Sequence, residues 1–279
     1  MLHDFFQGLM EYQFLQNALI TSIMVGISAG VIGSFIILRG MSLMGDAISH
    51  AVLPGVAISY MLGSIGATFF GIFSAALIGF VGKHSRLKND TAIGIVFSSF
   101  FALGIILISF ARSATDLYHI LFGNVLAVRD SDMYLTALVM IIVVLAVFYK
   151  QLKLTSFAPT MAQSYGWNIS LINYGLMFLL TLVAVTSLQT VGTILVIAML
   201  ITPAATAYQL TNKLSIMVGL STAFGVFSAI IGLYFSYSYN LPSGATIVMT
   251  AAIFFIAAFL FSPSKGLIQQ VRKERMYEA

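Results

Sequence analysis

The sequence predicts an all-α integral membrane protein with about nine transmembrane helices, eight being the alternative count. Three observations carry this. First, 59% of the 279 residues are hydrophobic and 8% are charged, with a mean hydropathy of +1.01. An average soluble domain is about half apolar and about a quarter charged, so this chain has too few charges to coat a soluble surface. Second, the apolar residues form continuous runs of the length that crosses about 30 Å of hydrocarbon as a helix. A membrane barrel would instead show short alternating segments. Third, lysine and arginine recur between the runs with a strong side bias.

The nine runs are Leu15–Leu38, Met41–Leu62, Ile65–Val81, Thr91–Ala111, Met133–Tyr149, Leu171–Leu188, Val191–Tyr208, Leu214–Tyr237 and Ala245–Phe261. A further stretch, Leu117–Val128, is too short to cross alone and reads as re-entrant or interfacial. With alternating spans and the C-terminus inside, eleven of the thirteen Lys and Arg residues fall on the inner side, leaving Arg112 and Arg129 outside. That bias places the N-terminus outside. Residues 1–14 bring Phe5, Phe6, Leu9, Met10 and Phe14 near one helical face, so a short amphipathic helix on the outer leaflet is expected. Residues 15–263 form a single transmembrane domain, and 264–279 a cytoplasmic tail.

Several function classes drop out. The first fourteen residues hold Asp4 and Glu11 but no Lys or Arg, so no signal-peptide n-region is visible. There is no cysteine, hence no disulfide, thiolate ligand or thiol nucleophile. The basic residues do not pool in one patch, which argues against nucleic acid. No G-x-x-x-x-G-K-[ST] pattern occurs, so the chain does not bind ATP through a P-loop. No soluble stretch is long enough for a catalytic head, and no catalytic residue or enzyme activity is expected.

The second run opens Met41-Ser-Leu-Met-Gly-Asp46-Ala-Ile-Ser-His50 and continues to Pro54-Gly55. Asp46 and His50 are four residues apart, so a helix places both on one face about 6 Å apart along its axis. Charge at membrane depth is costly and usually faces a cavity or partner. A carboxylate oxygen and a neutral imidazole nitrogen together suit a divalent first-row cation. A twofold dimer would supply two of each and neutralise one M²⁺ ion. The competing reading is an acid–base pair that only hides its own charge. Pro54 and Gly55 weaken the helix just beyond His50. Met41 and Met44 read mainly as packing residues.

A second pair, Asp116 and His119, falls on the outer side three residues apart. It reads as helix capping beside an interfacial Tyr118, or as an outer cation or docking site. The longest inner connection, Lys150–Ser170, holds Pro159 early and Gly166 late in a short helical pattern, the usual polarity of start and stop residues. Gly26, Gly30 and Gly33 make a small-residue stripe suited to close helix approach. Gln189 and Thr190 alone separate the sixth and seventh runs, implying a tight outer hairpin, and Pro203 disturbs the seventh.

The run Arg39 to Gly55 closely resembles the permeases of bacterial metal-ion ABC importers of the manganese/zinc/iron type. The segments Asp116–Asn124 and Gly192–Ala205 look like further signatures of that family. The resemblance extends from about Phe14 to Pro263 and is strongest to the manganese branch. It implies a vitamin-B12-permease-like (type II) architecture in the bacterial plasma membrane. It implies a homodimer with a central pathway, two separate ATP-binding subunits on the cytoplasmic face, and an extracellular metal-binding lipoprotein. Mn²⁺ is then the transported substrate, with Zn²⁺ or Fe²⁺ as the alternative, and no cofactor is held permanently. The channel ligands map onto Asp46 and His50. The helix that couples to the ATPase maps onto about Phe157–Gly166, including Pro159 and Met161. Relatives often carry acidic residues early in that helix, where this chain has Ala158, Pro159 and Thr160. An ATP-independent carrier or channel is the less favoured plan, because nine spans do not divide into two equal inverted repeats.

Overall fold

A computed structural model describes residues 2–52, 54, 66–84, 89–110, 125–147, 150–157 and 159–262. Every regular element among them is helical. In chain order the helices are α1 (Leu2–Glu11), α2 (Gln13–Leu38), α3 (Leu43–Ala51), α4 (Gly66–His84), α5 (Asn89–Phe110), α6 (Asp130–Val147), α7 (Lys150–Phe157), α8 (Pro159–Ser164), α9 (Ile169–Val191), α10 (Thr193–Leu210), α11 (Leu214–Tyr239) and α12 (Ser243–Phe261). A single 3₁₀ turn, Val125–Ala127, precedes α6. Among the described residues, five of these helices are both long and apolar enough to cross a membrane: α2, α9, α10, α11 and α12. Helices α4 and α5 contain shorter apolar stretches, Phe69–Gly82 and Thr91–Leu107. Helix α6 opens with Asp130 and Asp132 in its first turn.

Eight of the nine apolar runs thus coincide with helices of 18 or more residues. The run Met41–Leu62 behaves differently. Its described part is α3, nine residues ending at Ala51 with Val52 as its C-cap. At 1.5 Å per residue that helix is about 13 Å long and covers the first part of the run. Residues 55–65 lie outside the described set.

Helix α2 is the centre of the packing. Fifteen of its residues are buried, from Leu15 to Ile36, and they point in all directions around the helix. Its neighbours are α11, α10, α6 and α9. Small residues make such contact possible. A Cβ on Gly26 would lie 2.9 Å from the carbonyl carbon of Gly225, and one on Gly30 would lie 2.9 Å from that of Ser221. Both distances are below contact, so only glycine fits. Ser221 Oγ donates to the Gly30 carbonyl at 2.8 Å, joining α11 to α2 across the seam.

One expected turn is relocated, and one expected disturbance leaves its helix unbroken. Helix α9 runs through Gln189 and Thr190 to Val191, and the break falls on Gly192 alone, with φ at 85°. The left-handed backbone needed to end α9 and start α10 in one residue is readily available only to glycine. Helix α10 continues through Pro203 as one element. Proline there removes one N–H from the helical ladder but leaves the helix joined.

Helix α1 packs one face against α2 and α11. Phe5 is buried against Tyr234 and Tyr237 of α11, with ring centroids 5.4 and 5.8 Å away in edge-to-face arrangements. Gln16 Nε2 donates to the Leu9 carbonyl at 2.6 Å. Such edge-to-face contacts align the ring quadrupoles favourably. Met10, on another face, is 85% exposed.

The connector between α6 and α9 folds as two short helices, α7 and α8. Helix α8 ends in a Schellman turn: Gly166, at φ 76°, donates its N–H to Gln163, and Trp167 donates to Ala162. Asn168 then caps α9, its side chain accepting from the Leu171 N–H at 3.3 Å.

Candidate ion-binding site

Helix α3 is launched from the end of α2 by another Schellman turn. Gly40, at φ 65°, donates to Ile37, and Met41 donates to Ile36 at 3.0 Å. Three residues later α3 begins. One of its faces is apolar and fully packed, with Met44, Ala47, Ile48 and Ala51 all buried. Ser49 commits its hydroxyl proton to the Gly45 carbonyl at 2.8 Å.

Asp46 and His50 lie away from that packed surface. His50 Nε2 sits 3.3 Å from Asp46 Oδ1, and their side chains are 19% and 40% exposed respectively. The helical register therefore brings the two groups together as their spacing requires. The imidazole is braced by α5. Phe97 and Phe101 stand edge-on to it, with centroid separations of 5.5 and 5.4 Å. Nδ1 of His50 is buried and has no hydrogen-bond partner. A buried imidazole nitrogen left without a partner is unusual.

The arrangement places one oxygen and one nitrogen donor side by side, the carboxylate being the more exposed of the two. Among the described residues no group of three or more His, Asp or Glu side chains gathers in one place. One copy of this site thus presents an incomplete coordination shell. Met41 and Met44 do not join it. They line a cavity of about 230 Å³ whose walls include Asn173, Tyr174 and Met177 and neither Asp46 nor His50.

Asp116 and His119 lie outside the described residues. Within the connector, the helices holding Phe157 and Pro159 are described, Met161 is 58% exposed, and Gly166 ends α8. Two features escape a reading of the sequence. One is the brace of Phe97 and Phe101, whose i,i+4 spacing was its only signal. The other is Arg39, which donates to Ser156 Oγ at 3.1 Å, to Thr155 Oγ1 at 2.9 Å, and to Asn173 Oδ1.

Residues 11–262 match the ABC 3 transport family. The chain belongs to that family. This makes it a multi-pass protein of the plasma membrane and a transport component. It is 67% identical over 275 residues to the manganese transport system membrane protein MntC of Listeria monocytogenes, covering 97% of this chain and 98% of that one. It is 54% identical over 275 residues to the manganese import system permease protein ScaB of Streptococcus gordonii, covering 97% and 99%. The solved structure of PsaBC from Streptococcus pneumoniae in complex with Fab has a chain of the same fold, with TM-score 0.87, 54% identity, and coverage of 97% and 99%.

Proposed function

We propose that the chain is the membrane permease subunit of an ATP-driven manganese importer, and that Asp46 and His50 are its transient ion ligands. The observation that carries this reading is the 67% end-to-end identity with a manganese transport membrane protein, together with an acid–imidazole pair left half open on α3. Two copies assemble with their α3 helices facing. Two carboxylates and two imidazoles then replace part of the hydration shell of one Mn²⁺ ion, and two negative charges balance it. Binding has to be weak enough to let the ion go. The oxygen and nitrogen donors alone would serve Zn²⁺ or Fe²⁺ as well; the names of the relatives favour manganese.

The rest of the assembly follows the same reading. Nine spans place the N-terminus outside and the C-terminal tail in the cytoplasm. Two separate ATP-binding subunits dock on the connector Lys150–Ser170, where Phe157, Pro159, Met161 and Gly166 shape the contact, and ATP hydrolysis belongs to them. An extracellular lipoprotein delivers the ion at the outer mouth, near Asp116 and His119.

The test is ATP-dependent Mn²⁺ uptake by the chain reconstituted in vesicles with its ATPase. Asp46→Ala and His50→Ala each abolish uptake while the ATPase still copurifies. Normal uptake in both variants refutes the ion site.

A further inference from the structure

We propose that Arg39 is a positioning residue that mechanically couples the cytoplasmic connector to the ion-bearing helix. This rests on the permease reading above and names a link within it.

Arg39 caps the C-terminus of α2, where the helix dipole favours a cation. Its guanidinium reaches out of that helix to two others. It donates to Thr155 and Ser156 on α7 and to Asn173 on α9. The two hydroxyls are prepared for this role. Thr155 commits its own proton to the Gln151 carbonyl at 2.9 Å, and Ser156 commits its proton to Leu152 at 2.8 Å. A hydroxyl whose single proton is engaged retains only acceptor capacity, which matches the donor-only fork of arginine. The latch is neutral on the connector side, so it holds by geometry and not by an ion pair. Arg39 is partly buried, and burial lowers its pKa from the ordinary value.

On its other side, Arg39 leads within three residues, Gly40, Met41 and Ser42, into α3. The Schellman turn at Gly40 makes that passage stiff. Helix α3 also has room to respond. Met41 and Met44 border the cavity of about 230 Å³, and so does Asn173, an acceptor of the Arg39 fork. A push on α8 from a docked ATPase therefore passes through α7 to the guanidinium. It then bears on the start of the helix that carries Asp46 and His50, beside that cavity.

The test compares three proteins with wild type in vesicles holding the ATPase: Arg39→Ala, the pair Thr155→Ala with Ser156→Ala, and all three changes together. The readout is Mn²⁺ imported per ATP hydrolysed, beside copurification of the ATPase. Arg39→Ala lowers the ratio about tenfold with the ATPase still bound, the hydroxyl pair does the same, and the triple variant falls no further. An unchanged ratio in either variant overturns the proposal. So does a fully additive loss, or a loss of ATPase binding that accounts for the whole defect, since a merely structural contact would give those. If Arg39→Ala does not fold, the hydroxyl pair decides alone, because it leaves the arginine and backbone in place. Absence of ATP-driven Mn²⁺ uptake in wild type is a different failure and sinks the permease reading instead.

Discussion

The acid–imidazole pair is held at 3.3 Å by one turn of helix, and each member contributes something the other lacks. Asp46 supplies charge, and Asp46→Asn keeps its size while removing that charge. Uptake of Mn²⁺ by Asp46→Asn is expected to drop by at least about tenfold, since one unit of charge is lost at each of two sites in a poorly solvating environment. His50 depends on its brace. Aromatic contacts of this kind contribute about 0.5–1.5 kcal/mol each. Replacing Phe97 and Phe101 together with Ala frees the ring, so the Mn²⁺ concentration for half-maximal uptake should rise about three- to tenfold while the maximal rate changes less. A concentration series of uptake checks this. The pair itself is readable from the sequence because helix geometry is local: four residues always make one turn. The brace is not, because nothing in residues 46–50 says that a helix some fifty positions later will lie across them. Arg39 shows the same limit. As a residue at the end of an apolar run it registers only as a charge that orients the span, and its acceptors on α7 and α9 emerge only when three helices converge.

Helices assemble here through missing side chains as much as through present ones. Gly26 and Gly30 face the backbone of α11 at distances that exclude a methyl group. Gly30→Leu forces α2 and α11 apart, costing about 1–3 kcal/mol or more, and the melting temperature of the purified protein should fall by several degrees. The connector depends on glycine for another reason. Gly166 at φ 76° has open space around its Cα, so Gly166→Val fails through backbone strain and not collision. It should fray the last turn of α8 at a cost of about 1 kcal/mol or more and weaken ATPase copurification. The glycine stripe of α2 was legible from its spacing. The junction of α9 and α10 was legible only to within a few residues, because hydropathy does not distinguish Gln189-Thr190 from Gly192 as a breaking point, whereas a positive φ does. Helix α3 is the larger lesson. Its run Met41–Leu62 has the apolar length of a span, yet α3 ends at Ala51, and apolar length alone does not say that a helix will end there.

At the scale of the molecule, the cysteine-free sequence makes orientation directly measurable. Met10 and Tyr165 are 85% and 69% exposed, on α1 and on the connector. Met10→Cys should react with a membrane-impermeant maleimide in intact cells, and Tyr165→Cys only after the membrane is opened. The reverse pattern would invert the charge-based topology. Within the membrane, helix α2 has another consequence. From Ser28 to Ile36 every face of it is engaged, and glycine contacts leave no slack between it and α11. A rod gripped on all sides behaves as a stator. Whatever alternates during a transport cycle then has that axis as its fixed reference, and α3, hung from its end, is the arm nearest to hand.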